Sequence, residues 1–137
     1  MNGLTKATLT QQAYDVVAAA IEVHNELGPG LLERIYEECL LEELRLMGFE
    51  VQQQVAVPIS YRGRQLSTPL RLDVLVNQHI IVEIKAVKVL LPVHEAQVLS
   101  YMKLARKPRG ILLNFNVERI TKAAKHYVNG YYAALPA

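Results

Sequence analysis

The chain has 137 residues, 51% of them hydrophobic, enough for one core and not obviously for two, so a single domain over residues 1–137 is expected. No apolar stretch approaches the roughly 20 residues a bilayer-spanning helix needs, and the start, MNGLTKATLTQQAYD, lacks the basic-then-apolar order of a secretory leader, which leads us to expect a cytoplasmic protein with no membrane partner. The lone Cys39 excludes an internal disulfide, the absence of Cys/His clusters excludes a zinc site, and a net charge of +2 permits a nucleic-acid partner without demanding one.

From Thr10 the apolar positions Ala13, Val16, Val17, Ala20, Val23 and Leu27 recur at three- and four-residue intervals, one face of a helix ending at Gly28. After Gly28-Pro29-Gly30 a second stripe, Leu32, Ile35, Cys39, Leu40, Leu44 and Met47, predicts another helix that stops at Gly48. The pattern then changes to β-formers. FEVQQQVAVPISY alternates in part, Arg62-Gly63-Arg64 reads as a turn, and PLRLDVLV followed by HIIVEIKA reads as a hairpin around Asn77 and Gln78. Pro92 begins a third helix through about Ala105, Pro108 separates it from the strand RGILLNF, and ERITKAAKHYVNGYY reads as a closing helix. The order α-α-β-β-β-α-β-α, without repeat or linker, predicts an α/β (α+β) domain with one mixed sheet of about four strands flanked by helices.

The strand HIIVEIKA raises a physical problem. Alternation puts Ile81, Glu83 and Lys85 on one side and Ile80, Val82 and Ile84 on the other, so two charges become neighbours within an apolar run. Burying either unpaired would cost several kcal/mol, roughly. Asp73, between Leu72 and Val74 and expected to share a face with Arg71 and Leu75, is a third charge in an apolar setting. Two carboxylates for a divalent cation with an ammonium beside them are the components that phosphodiester hydrolysis requires, and Mg²⁺ suits one or two carboxylates completed by water and phosphate oxygens.

Hairpin register decides whether Asp73 and Glu83 can cooperate. A two-residue turn at Asn77-Gln78 pairs Val76 with His79 and leaves the carboxylates on opposite faces. A three-residue connection, Asn77-Gln78-His79, pairs Val76 with Ile80 and Asp73 with Glu83, bringing their Cβ atoms to roughly 5 Å. We expect the second register, or an equivalent bulge.

Asp73 followed one hairpin later by Glu83-Ile84-Lys85 resembles the PD-(D/E)XK nuclease superfamily, and Gln97-Val-Leu-Ser-Tyr101 resembles the Q-x-x-x-Y motif of its RecB-like members. HNELGPGLLERIYEE, through Gly30, Glu33 and Tyr36, resembles the GxxExxY family within it, as does LNFNV near the end; the likeness spans about residues 14 to 129. Leu72 stands where the superfamily's pattern has proline. The resemblance implies a restriction-endonuclease-like domain and a Mg²⁺- or Mn²⁺-dependent hydrolase acting on DNA. It also implies that Asp73 and Glu83 bind metal, with Glu33 through water and the main-chain carbonyl of Ile84 as a further ligand. Lys85 would support the nucleophile or the transition state, and Gln97 and Tyr101 would orient the lysine or contact substrate.

Each added residue also has a structural explanation. Glu33 suits a cap at the start of the second helix. His94, Gln97 and Tyr101 form a helical stripe able to pack on the sheet, His94 remains without an assigned role, and His24 reads as structural. Lys103, Arg106, Lys107 and Arg109 suit a helix C-terminus, or a phosphate-binding cluster if they border the Asp73 and Glu83 site. A non-cleaving binding module on the same fold is the alternative function, and homodimerisation would let so small a chain grip a duplex.

Overall fold

The computed structural model describes residues 3–137; Met1 and Asn2, the start of the segment read for a leader, lie outside them. Helix α1 (Lys6–Leu27) begins where the Thr5 side chain accepts from the Thr8 N–H at 3.1 Å and Thr8 Oγ1 returns the bond to the Thr5 N–H at 3.0 Å, a reciprocal cap. Helix α2 (Glu33–Leu46) follows a turn through Gly28 and Gly30, whose φ of 69° and 98° suit glycine. Strands β1 (Val51–Val57), β4 (Leu70–Val76), β5 (Ile80–Lys85), β6 (Arg109–Asn114) and β7 (Ala124–Val128) make one five-stranded sheet in that spatial order. Strands β2 (Ser60–Tyr61) and β3 (Arg64–Gln65) pair with each other as a separate small ribbon between β1 and β4 in the chain. Helix α3 (Pro92–Ala105) crosses over between β5 and β6, the parallel pair of an otherwise antiparallel sheet, and a short α4 (Gly130–Ala133) closes the chain. Among the described residues no helix is long and apolar enough to cross a membrane.

The expected mixed α/β class and the third helix, Pro92–Ala105, are observed. The closing helix is not. ERITKAAKHYVNGYY instead forms a short 3₁₀ turn at Ile120–Lys122, the edge strand β7 and the single turn α4. The tail's apolar residues sit at spacings that suit either element, and pairing with β6, already in the sheet, decides the matter for the strand.

Two apolar layers sandwich the sheet. On one face α1 and α2 pack Val16, Ala20, Leu40 and Leu44 against Val74, Val76, Val82, Ile84 and Ile111. On the other, Val98 and Met102 of α3 meet Leu72, Leu75, Ile81 and Leu112. Gly110 of β6 permits that contact, because an added Cβ would lie 2.6 Å from both Met102 Sδ and Val98 Cγ1. The stripe expected on α2 is rotated: Leu32 and Met47 are 73% and 45% exposed, while Tyr36, Glu37 and Leu41 are buried.

Tyr36 ties the turn to the core. Its hydroxyl donates to the Gly28 carbonyl at 2.6 Å and accepts from the Leu31 N–H at 3.1 Å, and its ring stacks on Phe115 with centroids 4.5 Å apart. Tyr36→Phe keeps the stacking and orphans both backbone groups. It should lower unfolding free energy in urea titrations by about 1–3 kcal/mol; wild-type stability would mean that the hydroxyl does not hold the turn.

Candidate functional site

The hairpin takes the three-residue connection. Val76 pairs with Ile80, Leu75 with Ile81 and Val74 with Val82, and the His79 N–H closes the turn on the Val76 carbonyl at 3.0 Å. Asn77 and Gln78 both adopt positive φ, 50° and 64°, and Asn77 Oδ1 accepts from the Glu50 N–H, anchoring the turn to the start of β1.

The regular pairing stops at Asp73. On its β1 side the pairs run from Val51–Val76 to Gln53–Val74 and resume at Val55–Leu72, skipping Gln54 opposite Asp73. Gln54 carries a φ of 51°, and both strands change phase there. Val51 packs in the α1/α2 layer but Val55 and Val57 in the α3 layer; Val74 belongs to the first layer and Leu72 to the second. The expected alternation of Arg71, Asp73 and Leu75 on one face is thus interrupted at Asp73. On its β5 side, carboxylates replace the ladder. Glu83 Oε2 accepts the Asp73 N–H at 2.9 Å, and Asp73 Oδ2 accepts the Ile84 N–H at 2.9 Å. Each carboxylate holds the backbone of the other's strand.

Glu83 is 2% exposed. Burial, and next the neighbouring Asp73 charge, push its carboxyl up to about 8, against the opposing Asp73 N–H bond and the Lys85 charge. A surface ion pair would be the ordinary explanation for Glu-x-Lys, and it fails here. Among the described residues the salt bridge within 4 Å is Lys125–Glu95, so half-buried Lys85 lies near Glu83 without being neutralised by it.

Glu33 does not cap its own helix. Its Oε2 receives the Ala86 N–H at 3.4 Å, across to the end of β5, and it lines a cavity of about 350 Å³ with Arg34, Glu37, Gln53, Gln54 and Asp73. Glu37, one turn further along α2, joins this wall although the apolar spacing of α2 does not single it out. Its carboxylate accepts amide bonds from Gln53 at 3.1 Å and Gln54 at 3.1 and 3.2 Å, while burial, with a contribution from Asp73, holds its carboxyl above the usual range. The signal was the i, i+4 spacing from Glu33, masked by treating Ile35 and Cys39 as the buried face. Asn114, level with Lys85 across the β5–β6 pairing, was also missed. Its side chain accepts from the Val87 and Asn116 N–H groups and donates to the Val87 carbonyl, so it fixes the chain just after Lys85.

Gln97 and Tyr101 bond each other, Nε2 to hydroxyl at 2.9 Å, and Tyr101 packs on the α3 layer. His94 Nδ1 accepts the Leu91 N–H at 2.9 Å, a cap for α3. His24 Nε2 contacts the Val117 carbonyl at 2.7 Å, consistent with the structural role expected of it. The basic cluster requires correction. Arg109 is level with Ile80, at the opposite end of β5 from Lys85, and the Lys107 charge is felt by His79 in the hairpin turn. Lys103, Arg106 and Lys107 therefore do not border the carboxylates. Arg109 is 7% exposed and turned inward to His126 at 2.9 Å, so it is not a surface phosphate ligand.

No three His, Cys, Asp or Glu side chains among the described residues are gathered into a ready-made metal cage. A two-carboxylate site completed by water suits Mg²⁺ or Mn²⁺ rather than zinc, and Asp73 Oδ1 and Glu83 Oε1 have no protein hydrogen-bond partner among the described residues. The donor set fits such an ion. Between pH 4.5 and about 8 the folded, cation-free chain binds a proton at Glu83 that the unfolded chain releases, so this stabilisation is full at low pH and lost as pH rises through 8. Glu83→Gln should remove that dependence, gaining about 2–5 kcal/mol relative to wild type between pH 5 and 9 in EDTA. Parallel stability profiles would show instead that Glu83 titrates normally.

The comparisons with known proteins bear on the same residues. No curated protein matches the chain. The crystal structure of SSO0001 superposes with a TM-score of 0.55 at 18% identity, over 90% of this chain and 61% of that one; the fold is shared, and this chain spans about three-fifths of that protein's length. A family model for the PD-(D/E)XK nuclease superfamily matches residues 10–127, across the carboxylate hairpin, both neighbouring helices and the final strand. The chain belongs to the PD-(D/E)XK nuclease superfamily.

Proposed function

We propose that this nuclease-fold protein hydrolyses phosphodiester bonds in DNA with a divalent cation, Mg²⁺ or Mn²⁺, at the break between β4 and β5. The observation that carries the reading is the reciprocal Asp73–Glu83 arrangement, in which a buried Glu83 and Asp73 each hold the backbone of the other's strand. A buried Glu83 beside the half-buried Asp73 would be costly if it served packing alone, and a cation accounts for the pair.

Asp73 Oδ1 and Glu83 Oε1 would hold the ion, with the main chain of Ile84 beside them and Glu33 reaching it through water. When bound, the ion would supply Lewis-acid polarisation of the phosphate and lower the pKa of a coordinated water. Lys85 is the flexible ammonium at the site. It holds and orients the attacking water and offsets negative charge as the phosphorus centre gains its fifth oxygen. One water adds across the P–O ester bond, its oxygen going to phosphorus and a proton to the departing sugar oxygen. Glu37, fastened by Gln53 and Gln54, keeps the cavity wall in place. Gln97 and Tyr101 form a hydrogen-bonded pair on α3 suited to orienting Lys85 or substrate.

Purified protein incubated with single-stranded, duplex and branched DNA and RNA should cut DNA with Mg²⁺ or Mn²⁺ and not with EDTA. Glu83→Ala and Lys85→Ala should each reduce the rate by roughly 100-fold or more. Cleavage that survives EDTA or either variant would belong to a contaminant and remove the reading.

A further inference from the structure

The candidate site is acidic. Glu33, Glu37 and Asp73 line its cavity against one lining cation, Arg34, so a polyanionic strand is not drawn into it until other groups hold the strand. Register shows where such groups stand. Ascending β5 past Glu83 to Lys85 corresponds to descending β4 toward Leu70, and Leu70 pairs with Val57 at the end of β1. The β2–β3 ribbon therefore projects from the site end of the sheet, three residues, or roughly 10 Å, beyond Asp73.

Its composition is unlike that of the cavity. From Val51 to Leu72 there is no aspartate or glutamate, while Arg62, Arg64 and Arg71 occur. Ser60 through Pro69 are exposed, Tyr61 by 62%. The Arg62 guanidinium lies over the Tyr61 ring, 5.6 Å from its centroid, making a flat cationic and aromatic surface. Among the described residues the ribbon pairs with no other strand, and an isolated two-stranded ribbon gains little stability by itself. Positive side chains next to an exposed aromatic face suit a nucleic-acid strand, the guanidinium groups on phosphates and the ring on a base.

We infer that the ribbon is a strand-gripping arm, in which Arg62 and Arg64 take backbone phosphates and Tyr61 stacks on an unpaired base of the strand led into the Asp73–Glu83 centre. The inference rests on the proposed nuclease reading and adds where the substrate is held and in what state, single-stranded at the arm. It also replaces the Lys103–Arg109 cluster, which faces the other end of the sheet.

The test is binding of a short labelled DNA single strand and of the matching duplex, by fluorescence anisotropy in EDTA over a range of salt. It uses the Glu83→Gln protein alone and with Arg62→Ala/Arg64→Ala or Tyr61→Ala added. Loss of both arginines should weaken single-strand binding at least tenfold and flatten the slope of log affinity against log salt by about 1.4. Tyr61→Ala should weaken the single strand by roughly fivefold or more and change the duplex much less. Unchanged melting temperatures would confirm that the arm variants fold. A strand that binds through the arm but is not cut by the wild type supports the arm while sinking the hydrolysis reading alone. Unaltered affinity and salt slope in the arm variants overturn the arm, as does equal competition by polyglutamate, which would mark an indifferent anion surface. Failure of the parent protein to bind any nucleic acid overturns both.

Discussion

Two backbone N–H groups that an unbroken ladder would give to carbonyls are given to carboxylates instead, Asp73's to Glu83 and Ile84's to Asp73. Much of the local architecture follows from this exchange. It requires the Val76–Ile80 register, because the tighter hairpin would separate the two side chains by the thickness of the sheet. It also requires a break on the β1 side, met by Gln54 in its left-handed conformation opposite Asp73. Charge-assisted bonds favour the ionised carboxylates, but at Glu83 burial and the like charge outweigh them and the proton stays until about pH 8. Without a cation Glu83 keeps its proton; with one, the proton has a reason to leave.

The surrounding residues divide into scaffold and wall. Tyr36 binds the α1–α2 turn and stacks on Phe115, His24 meets the Val117 carbonyl, and Asn114 clamps the chain after Lys85. These are residues of the GxxExxY-like segment and of LNFNV, and their chemistry is positional. Glu33 and Glu37 sit on the same helix one turn apart, and both face the cavity that Asp73 enters. A fixed scaffold with acidic groups around one opening suits a site whose charge is balanced from outside.

The register and the identity of the carboxylate pair were legible in the sequence because both follow from the period-two geometry of strands and from the cost of burying charge. Helix α1 was legible through its three- and four-residue apolar spacing and the closing Gly28, and α3 through the proline that starts it. Three features were not. The face of α2 was misjudged because Leu32 and Met47 continue the apolar spacing into turns that reach solvent, which hid Glu37. The tail YVNGYY carries no signal separating an edge strand from a helix until β6 offers it a partner. The Lys103–Arg109 cluster is near Gln97 in sequence but far from Glu83 in space, because the crossover through α3 returns the chain to the opposite end of the parallel pair. Sequence proximity carried no information there; topology did.

The central claim is that Asp73 and Glu83 form one cation site, at which a bound ion competes with the proton on Glu83. Carbon-13 NMR of the side-chain carboxyl groups, titrated from pH 4 to 10 with and without Mg²⁺, reads it directly. The account predicts one glutamate carboxyl, lost in Glu83→Gln, that titrates near 8 in EDTA and moves down by two or more pH units at saturating Mg²⁺. A Glu83 resonance that titrates near 4.5, or that ignores the cation, would contradict it.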